Sequence, residues 1–426
     1  MKKLVLGIFC VFFPVSVCLA ANVDTAGIGS KATALGGAYS AYADDPYAVY
    51  YNPAGLVQIK DPVVSGGVFM LMPKLNYYDL TLRQNGTTVL GPTDYSEDFG
   101  PLYIPHFGAA YPISNSLVFG VAAYVPYGLD LKWNDNAVKN PGAYSAFHTL
   151  YARTVITPSM AYKVSDKLSV GAGISLGRSQ MVAEKVFFPS TTQIRLDMAD
   201  DFNYSLNAGV LYHPEDFLFL GLTYRGRAKA VFDGEVDVNG VDSGINVRTQ
   251  FDHPEQIQGG IRYITPHHVT LDFDLEWTRW SIQKDQVGTF SEPLMGIIPE
   301  ARYERSWDDT VSVRMGAEWK VNDMLDLRAG YFYDPSPVSD STFDFGWPDA
   351  DRKTYSLGAG LHKGNWTVDT VVQYFTAEAK RTLGGESYNL NHSYNDFDPS
   401  TDERVSLEAD GHMWTTGVTL SYSFSK

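Results

Sequence analysis

The run His412-Met413-Trp414-Thr415-Thr416-Gly417-Val418-Thr419-Leu420-Ser421-Tyr422-Ser423-Phe424 alternates at every step. His412, Trp414, Thr416, Val418, Leu420, Tyr422 and Phe424 share one side, and small or polar residues share the other. Period-2 alternation is the signature of a β-strand, because successive side chains point to opposite faces. The run covers 13 residues, more than the roughly 5–6 of an ordinary soluble strand and enough for a tilted membrane crossing of about 9–11. The same scheme recurs at Val269-Thr270-Leu271-Asp272-Phe273-Asp274-Leu275-Glu276-Trp277-Thr278, and at 311–320, where Val311, Val313, Met315, Ala317 and Trp319 oppose Ser312, Arg314, Gly316, Glu318 and Lys320.

Fourteen such segments follow from residue 63 onward, near 63–74, 103–112, 117–126, 150–163, 168–180, 202–213, 217–230, 254–265, 268–284, 308–321, 325–335, 353–363, 365–380 and 411–424. Tight turns alternate with long connections, the long ones at 75–102, 127–149, 181–201, 231–253, 285–307, 336–352 and 381–410. Short–long alternation over an even strand count describes an all-β, 14-stranded antiparallel transmembrane barrel of the bacterial outer membrane, with both termini periplasmic. Trp277, Trp280, Trp319, Trp366, Trp414 and Tyr422 sit near strand ends, as interfacial girdles do. A soluble sandwich also alternates, so strand length, girdles and the final strand carry the choice. Outer-membrane lipid, lipopolysaccharide and the barrel-assembly machinery are the partners such a wall implies, and a monomer is expected.

Composition agrees. The chain has 426 residues, 33 Lys+Arg against 49 Asp+Glu, a net charge of −16, and 44% apolar residues. That apolar content excludes a disordered chain, and the acidic balance disfavours nucleic acid. No stretch after residue 20 approaches the roughly 18 consecutive apolar residues of a spanning helix. Residues 1–20 read as a signal peptide, with a basic Lys2-Lys3 head, an apolar core and small residues before Ala21. Both cysteines, Cys10 and Cys18, fall inside it, so the mature chain is expected to hold no disulfide.

Residues 21–62 lack alternation and are rich in Ala and Gly, which predicts short helices and turns. A 14-stranded barrel is wide enough to leave a channel unless filled, so this segment is the candidate plug, domain 21–62 preceding barrel domain 63–426. Lumen-facing Asp272, Asp274, Glu276, Arg314, Glu318, Arg328 and Asp369 would bond to it or line the lumen in water. The third strand runs into Pro126-Tyr127-Gly128-Leu129. Proline gives no N–H to the ladder, so either the wall opens sideways here or the strand ends at Pro126.

At these residues the chain resembles the FadL/TodX-type outer-membrane transporters of long-chain fatty acids and hydrocarbons. The likeness runs through Gly36-Gly37-Ala38, Ala43-Asp44-Asp45 and Tyr50-Tyr51-Asn52-Pro53-Ala54-Gly55-Leu56, then Pro126-Tyr127-Gly128-Leu129 and Ala161-Tyr162-Lys163-Val164 to Gly173. It continues in Gly316-Ala317-Glu318-Trp319 to Tyr331, Asp334-Pro335-Ser336-Pro337-Val338 and Pro348-Asp349-Ala350-Asp351-Arg352. The resemblance implies passive uptake of hydrophobic molecules, with Asn52, Pro53 and Ala54 a plug element near the kink and Pro126, Tyr127 and Gly128 a lateral opening. It also implies that Lys185 meets a fatty-acid carboxylate beside Phe187 and Phe188. The family's second basic position falls on Asp308, with Arg305 or Arg302 nearby as substitutes. Without the family, Lys185 reads as an ordinary loop lysine.

No catalytic, cofactor or metal motif appears. Nine histidines are scattered, Asp252-His253-Pro254 has no serine partner identifiable in sequence, and 233–239 fails calcium-loop spacing. A barrel hydrolase and a general porin are the alternatives, the porin predicting large ion conductance.

Overall fold

The computed structural model describes residues 27–377, 380–395 and 401–424. The expected signal peptide, 1–20, lies outside them. Helices α1 (Ser30–Ala34) and α2 (Ala48–Tyr51) and a 3-10 turn (Pro53–Gln58) come first. Then follow β1 (Val63–Gln84), β2 (Thr87–Asp98), β3 (Leu102–Pro112), β4 (Leu117–Lys132), β5 (His148–Lys163), β6 (Leu168–Val186) and β7 (Gln193–Glu215). Next are β8 (Leu218–Arg225), β9 (Val231–Val238), β10 (Val241–Gln250), β11 (Gln256–Ile264), β12 (Val269–Thr278), β13 (Asp285–Leu294) and β14 (Ile298–Glu304). The chain finishes with β15 (Thr310–Asn322), β16 (Leu325–Asp334), β17 (Arg352–Lys363), β18 (Trp366–Ala377), β19 (Arg381–Gly384), α3 (Tyr388–His392) and β20 (Glu403–Ser423).

Fourteen of the strands close an antiparallel barrel in the order β1, β3–β8, β11, β12, β15–β18, β20 and back to β1. The seam is long, from Val63↔Ser423 to Gln84↔Glu403. Its polarity is that of a membrane wall. On β12, Leu271, Phe273 and Leu275 are 48%, 40% and 44% exposed, while Asp272, Asp274 and Glu276 are 5%, 1% and 3% exposed. A soluble barrel would turn those leucines inward. Here lipid is the solvent outside, and strand-to-strand pairing supplies hydrogen-bond partners to the backbone around the wall. Among the described residues no helix is long and apolar enough to cross a membrane.

The other six strands belong to the long connections, which are less irregular than the sequence predicts. β1 runs on and pairs with β2, β6 and β7 continue together to Val186↔Gln193, and β9–β10 and β13–β14 form hairpins joined through Val247↔Phe290. Their pattern is weak because neither face meets lipid, so alternation of hydrophobicity is relaxed while pairing persists.

The plug fills the lumen. Asp274 on β12 accepts from the Tyr39 and Ser40 N–H groups at 3.2 and 2.9 Å, and Tyr42 donates to Glu318 on β15 at 2.6 Å. The Ser30 N–H donates to Thr419 on β20 at 2.9 Å, and Arg314 reaches the Gly36 carbonyl at 3.4 Å. Most of the predicted lumen charges therefore hold the plug or each other: Arg314 pairs with Glu276, which Arg225 also meets, and Arg328 bridges Glu318 and Asp369, each at 2.6 Å. The Asp272 carboxylate has no hydrogen-bond partner among the described residues. Glycines in the wall make the room. A Cβ on Gly221 would sit 2.2 Å from the Ser40 oxygen, and one on Gly330 2.2 Å from the Gly36 nitrogen.

Candidate functional site

A cavity of about 140 Å³ lies at the end of the lumen that carries the long connections. The β6–β7 hairpin supplies Met181, Ile194 and Met198, the joined hairpins supply Val247 and Phe290, and the β16–β17 connection supplies Trp347. The six come from five elements, Ile194 and Met198 sharing β7, so the apolar lining exists only once the long pairings form. Lys185, Phe187 and Arg305 are among its lining residues. Phe188 does not; its ring packs against Tyr144 and Tyr394, with centroids 5.0 and 5.5 Å away. Asp308 is exposed, its N–H bound to the Pro337 carbonyl, and it is not among the lining residues.

The cavity's charges are balanced pair by pair. Arg305 and Asp344 are buried and 2.6 Å apart, and the guanidinium also donates twice to Gln286, at 3.1 and 2.9 Å. Asp344 in turn accepts from the Gly346 and Trp347 N–H groups. Breaking such a pair leaves an uncompensated buried charge, so Arg305 is committed to shaping the connection that carries Trp347. Arg302, at the rim, pairs with Asp285 and Glu300. Glu184 is held by His148 and Arg195. The Lys185 ammonium lies 5.5 Å from the Phe187 ring centre.

Rings lead inward from the cavity. Trp347 stacks on Phe251 at 5.0 Å and meets Tyr151 at 5.4 Å; Tyr151 meets His253, which stacks on Tyr127 at 5.0 Å. His253 bonds to the Tyr151 hydroxyl and the Ser179 hydroxyl, each at 2.9 Å. Ser179 is thus the serine partner that sequence did not reveal. Burial holds the imidazole well below its usual range. Its second nitrogen faces a tyrosine rather than a carboxylate, and Asp252 pairs with Arg227, so no acid orients the pair for nucleophilic work. Among the described residues no group of three His, Cys, Asp or Glu is placed to hold a metal.

Tyr127 belongs to an interruption in the wall. β3 and β4 share a ladder only from Pro112↔Val118 to Phe107↔Ala123. Both strands continue beyond it, β3 back to Leu102 and β4 on to Lys132. The β4–β5 register slips between Tyr124 and Tyr127, around Val125 and Pro126. β4 therefore does not end at Pro126; it bulges and continues. From Tyr124 to Leu129 every residue is buried, so alternation is lost and the strand no longer presents a lipid face. Asn52, Pro53 and Ala54 lie elsewhere, against Gly171 and Gly209 of β6 and β7, with the Asn52 side chain donating to Val210 and Ser40 carbonyls at 3.0 and 2.7 Å. The plug residue beside the bulge is Tyr50, whose ring meets Tyr124 at 5.5 Å.

A wall with leucine and phenylalanine outside and carboxylates inside is stable only across a lipid bilayer, and the cork of its own N-terminal segment sets it among plugged outer-membrane channels. The chain belongs to the outer membrane protein transport protein family (OMPP1/FadL/TodX), whose model matches residues 16–424. It is 24% identical over 443 residues to a long-chain fatty acid transport protein of Escherichia coli O6:H1, covering 92% of this chain and 93% of that one. The fold is similar to a FadL homologue of Pseudomonas aeruginosa (TM-score 0.80, 20% identity, 96% of this chain and 100% of that one). It is also similar to the Ralstonia pickettii toluene transporter TbuX (TM-score 0.66, 16% identity, 95% and 100%).

Proposed function

We propose that this protein takes up hydrophobic molecules passively, long-chain fatty acids or aromatic and aliphatic hydrocarbons, and releases them sideways into the membrane. Cargo enters the outer cavity, displaces the rings between Trp347 and Tyr127, and leaves between β3 and β4 where the two no longer share a ladder. The observation that carries this reading is the loss of ladder beyond Phe107↔Ala123 while both strands go on. An opening here exposes backbone that in lipid must find partners, and the inward bulge keeps Tyr124 to Leu129 against protein. Asn52, Pro53 and Ala54 fix the plug to β6 and β7, so motion of the plug would be felt there first. Lys185, on the β6–β7 hairpin at the cavity wall, is the residue proposed to meet a carboxylate, and the apolar lining accepts a neutral hydrocarbon equally.

A deletion strain carrying the gene on a plasmid tests this. With an uncoupler present, labelled oleate or toluene should still enter at a rate set by its gradient. Entry no faster than in the deletion strain would overturn the proposal, and turnover of lipid by the purified protein would favour the hydrolase instead.

A further inference from the structure

The connection between β16 and β17 crosses the long-connection end of the barrel as a partition. Asp344, Gly346 and Trp347 face the cavity described above, while Phe343, Phe345 and Asp349 line a second chamber of about 60 Å³ on the side of β1, β18 and β20. The partition is tied on both flanks. Ser387 donates to the Phe343 carbonyl, Arg305 holds Asp344, and Arg381 donates to the carbonyls of Val338 and Asp349. The two chambers are therefore separate spaces.

The second chamber is apolar, with Trp133, Phe343, Phe345 and Phe375 among its walls. Two of its polar atoms lack a hydrogen-bond partner among the described residues, the Trp133 indole Nε1 and the Asp349 Oδ1. Trp133 is 4% exposed and Asp349 7%. The other Asp349 oxygen accepts from Ser336 at 2.7 Å. Burial pushes the Asp349 carboxyl up to about 6, so it remains an acceptor at neutral pH. An indole N–H only donates and a carboxylate only accepts. A hydroxyl can answer either, taking the indole proton on its oxygen or giving its own to Asp349. A ligand carboxylate would meet Asp349 and Asp410 instead. The nearby cations are engaged, Arg381 with Asp340 at 2.7 Å and Arg352 with Asp334. A plain hydrocarbon would leave both atoms unsatisfied.

We infer that this chamber is a subsite for uncharged amphiphiles, molecules with a hydroxyl head on an apolar body. It rests on the reading that the outer end collects hydrophobic cargo, but not on where that cargo leaves.

Three probes with one body and different heads test it: 4-octylphenol, octylbenzene and 4-octylbenzoate, titrated against the full chain in lipid nanodiscs. Octylphenol should bind at two sites per chain. Trp133→Phe keeps the ring and removes the N–H, and should weaken the second site at least about fivefold while leaving octylbenzene binding unchanged. Ala409→Trp, which fills the chamber, should abolish that site and leave the first. Retained octylbenzene binding shows that each variant is folded. One octylphenol per chain in the unaltered protein, or two sites indifferent to both substitutions, would overturn the inference and leave water as the partner of both atoms. Failure of sideways release would leave these stoichiometries untouched, so the two proposals fail separately.

Discussion

Lys185 and Arg305 look interchangeable in sequence, two cations in loops flanking long strands, and the fold separates them. Arg305 is buried, paired with Asp344 and bonded to Gln286, so it organises the cavity. Lys185 is half-buried on the β6–β7 hairpin, above the Phe187 ring. Lys185→Ala should weaken binding of oleate about tenfold or more, the usual worth of a charge-assisted hydrogen bond, and leave toluene within about twofold. Equal loss for both ligands in a binding titration would mean that Lys185 only shapes the cavity. The sequence pointed to Lys185 and Phe187 through the resemblance alone. It missed Met181, Met198, Phe290 and Trp347, because nothing local marks a methionine or tryptophan that distant strand pairing will bring to one wall. It likewise gave no sign that Phe188 turns away toward Tyr144.

At the scale of elements, legibility followed the environment of each strand. Where one face meets lipid and the other the lumen, as in β12 or β15, alternation was strict, and for β15 the expected 308–321 lies within two residues of Thr310–Asn322. β12, by contrast, stops six residues short of the expected 284, and β20 starts eight before the expected 411. Above the membrane the hairpins β9–β10 and β13–β14 read as loops, since pairing there does not require an apolar face. Pro126 marked the break, but only pairing reveals that β4 carries on to Lys132 without β3. The plug has its own titration. Asp45 accepts from the Tyr47 N–H at 2.8 Å and from the Tyr39 hydroxyl at 3.2 Å, close to Asp44 and to Lys31, which pairs with Asp44 at 2.8 Å. Burial first, and then the Asp44 charge, push its carboxyl up to about 7. A folded-state value above the unfolded one means the plugged state holds the proton more tightly, so plug stability is full at low pH and falls as pH rises through about 7. Protection factors in residues 30–52, which divide out the intrinsic rise of amide exchange with pH, should therefore fall between pH 5 and pH 8, and Asp45→Asn should remove most of that fall. Protection that rises over this range, or a fall unchanged by the substitution, would contradict the assignment.

The whole molecule is a wall turned inside out, corked from within, with one short gap in its otherwise closed ladder. Buried arginines such as Arg314 and Arg328 neutralise lumen carboxylates locally, so the net charge of −16 comes from carboxylates outside these pairs. The closed barrel and its cork were legible from period, length and composition; the gap needed the register, which no local pattern encodes. Continuing the register past Phe107↔Ala123 sets Pro105 opposite Val125 across the gap. Both native cysteines fall in the first 20 residues, so a Pro105→Cys, Val125→Cys pair is chemically unique in the expected mature chain. A reducible bridge between these two thiols should cut cargo entry at least about tenfold, with entry restored when the bridge is reduced and the barrel folded throughout. Entry at the same rate with the bridge intact would contradict sideways release and send the cargo down the lumen past the plug.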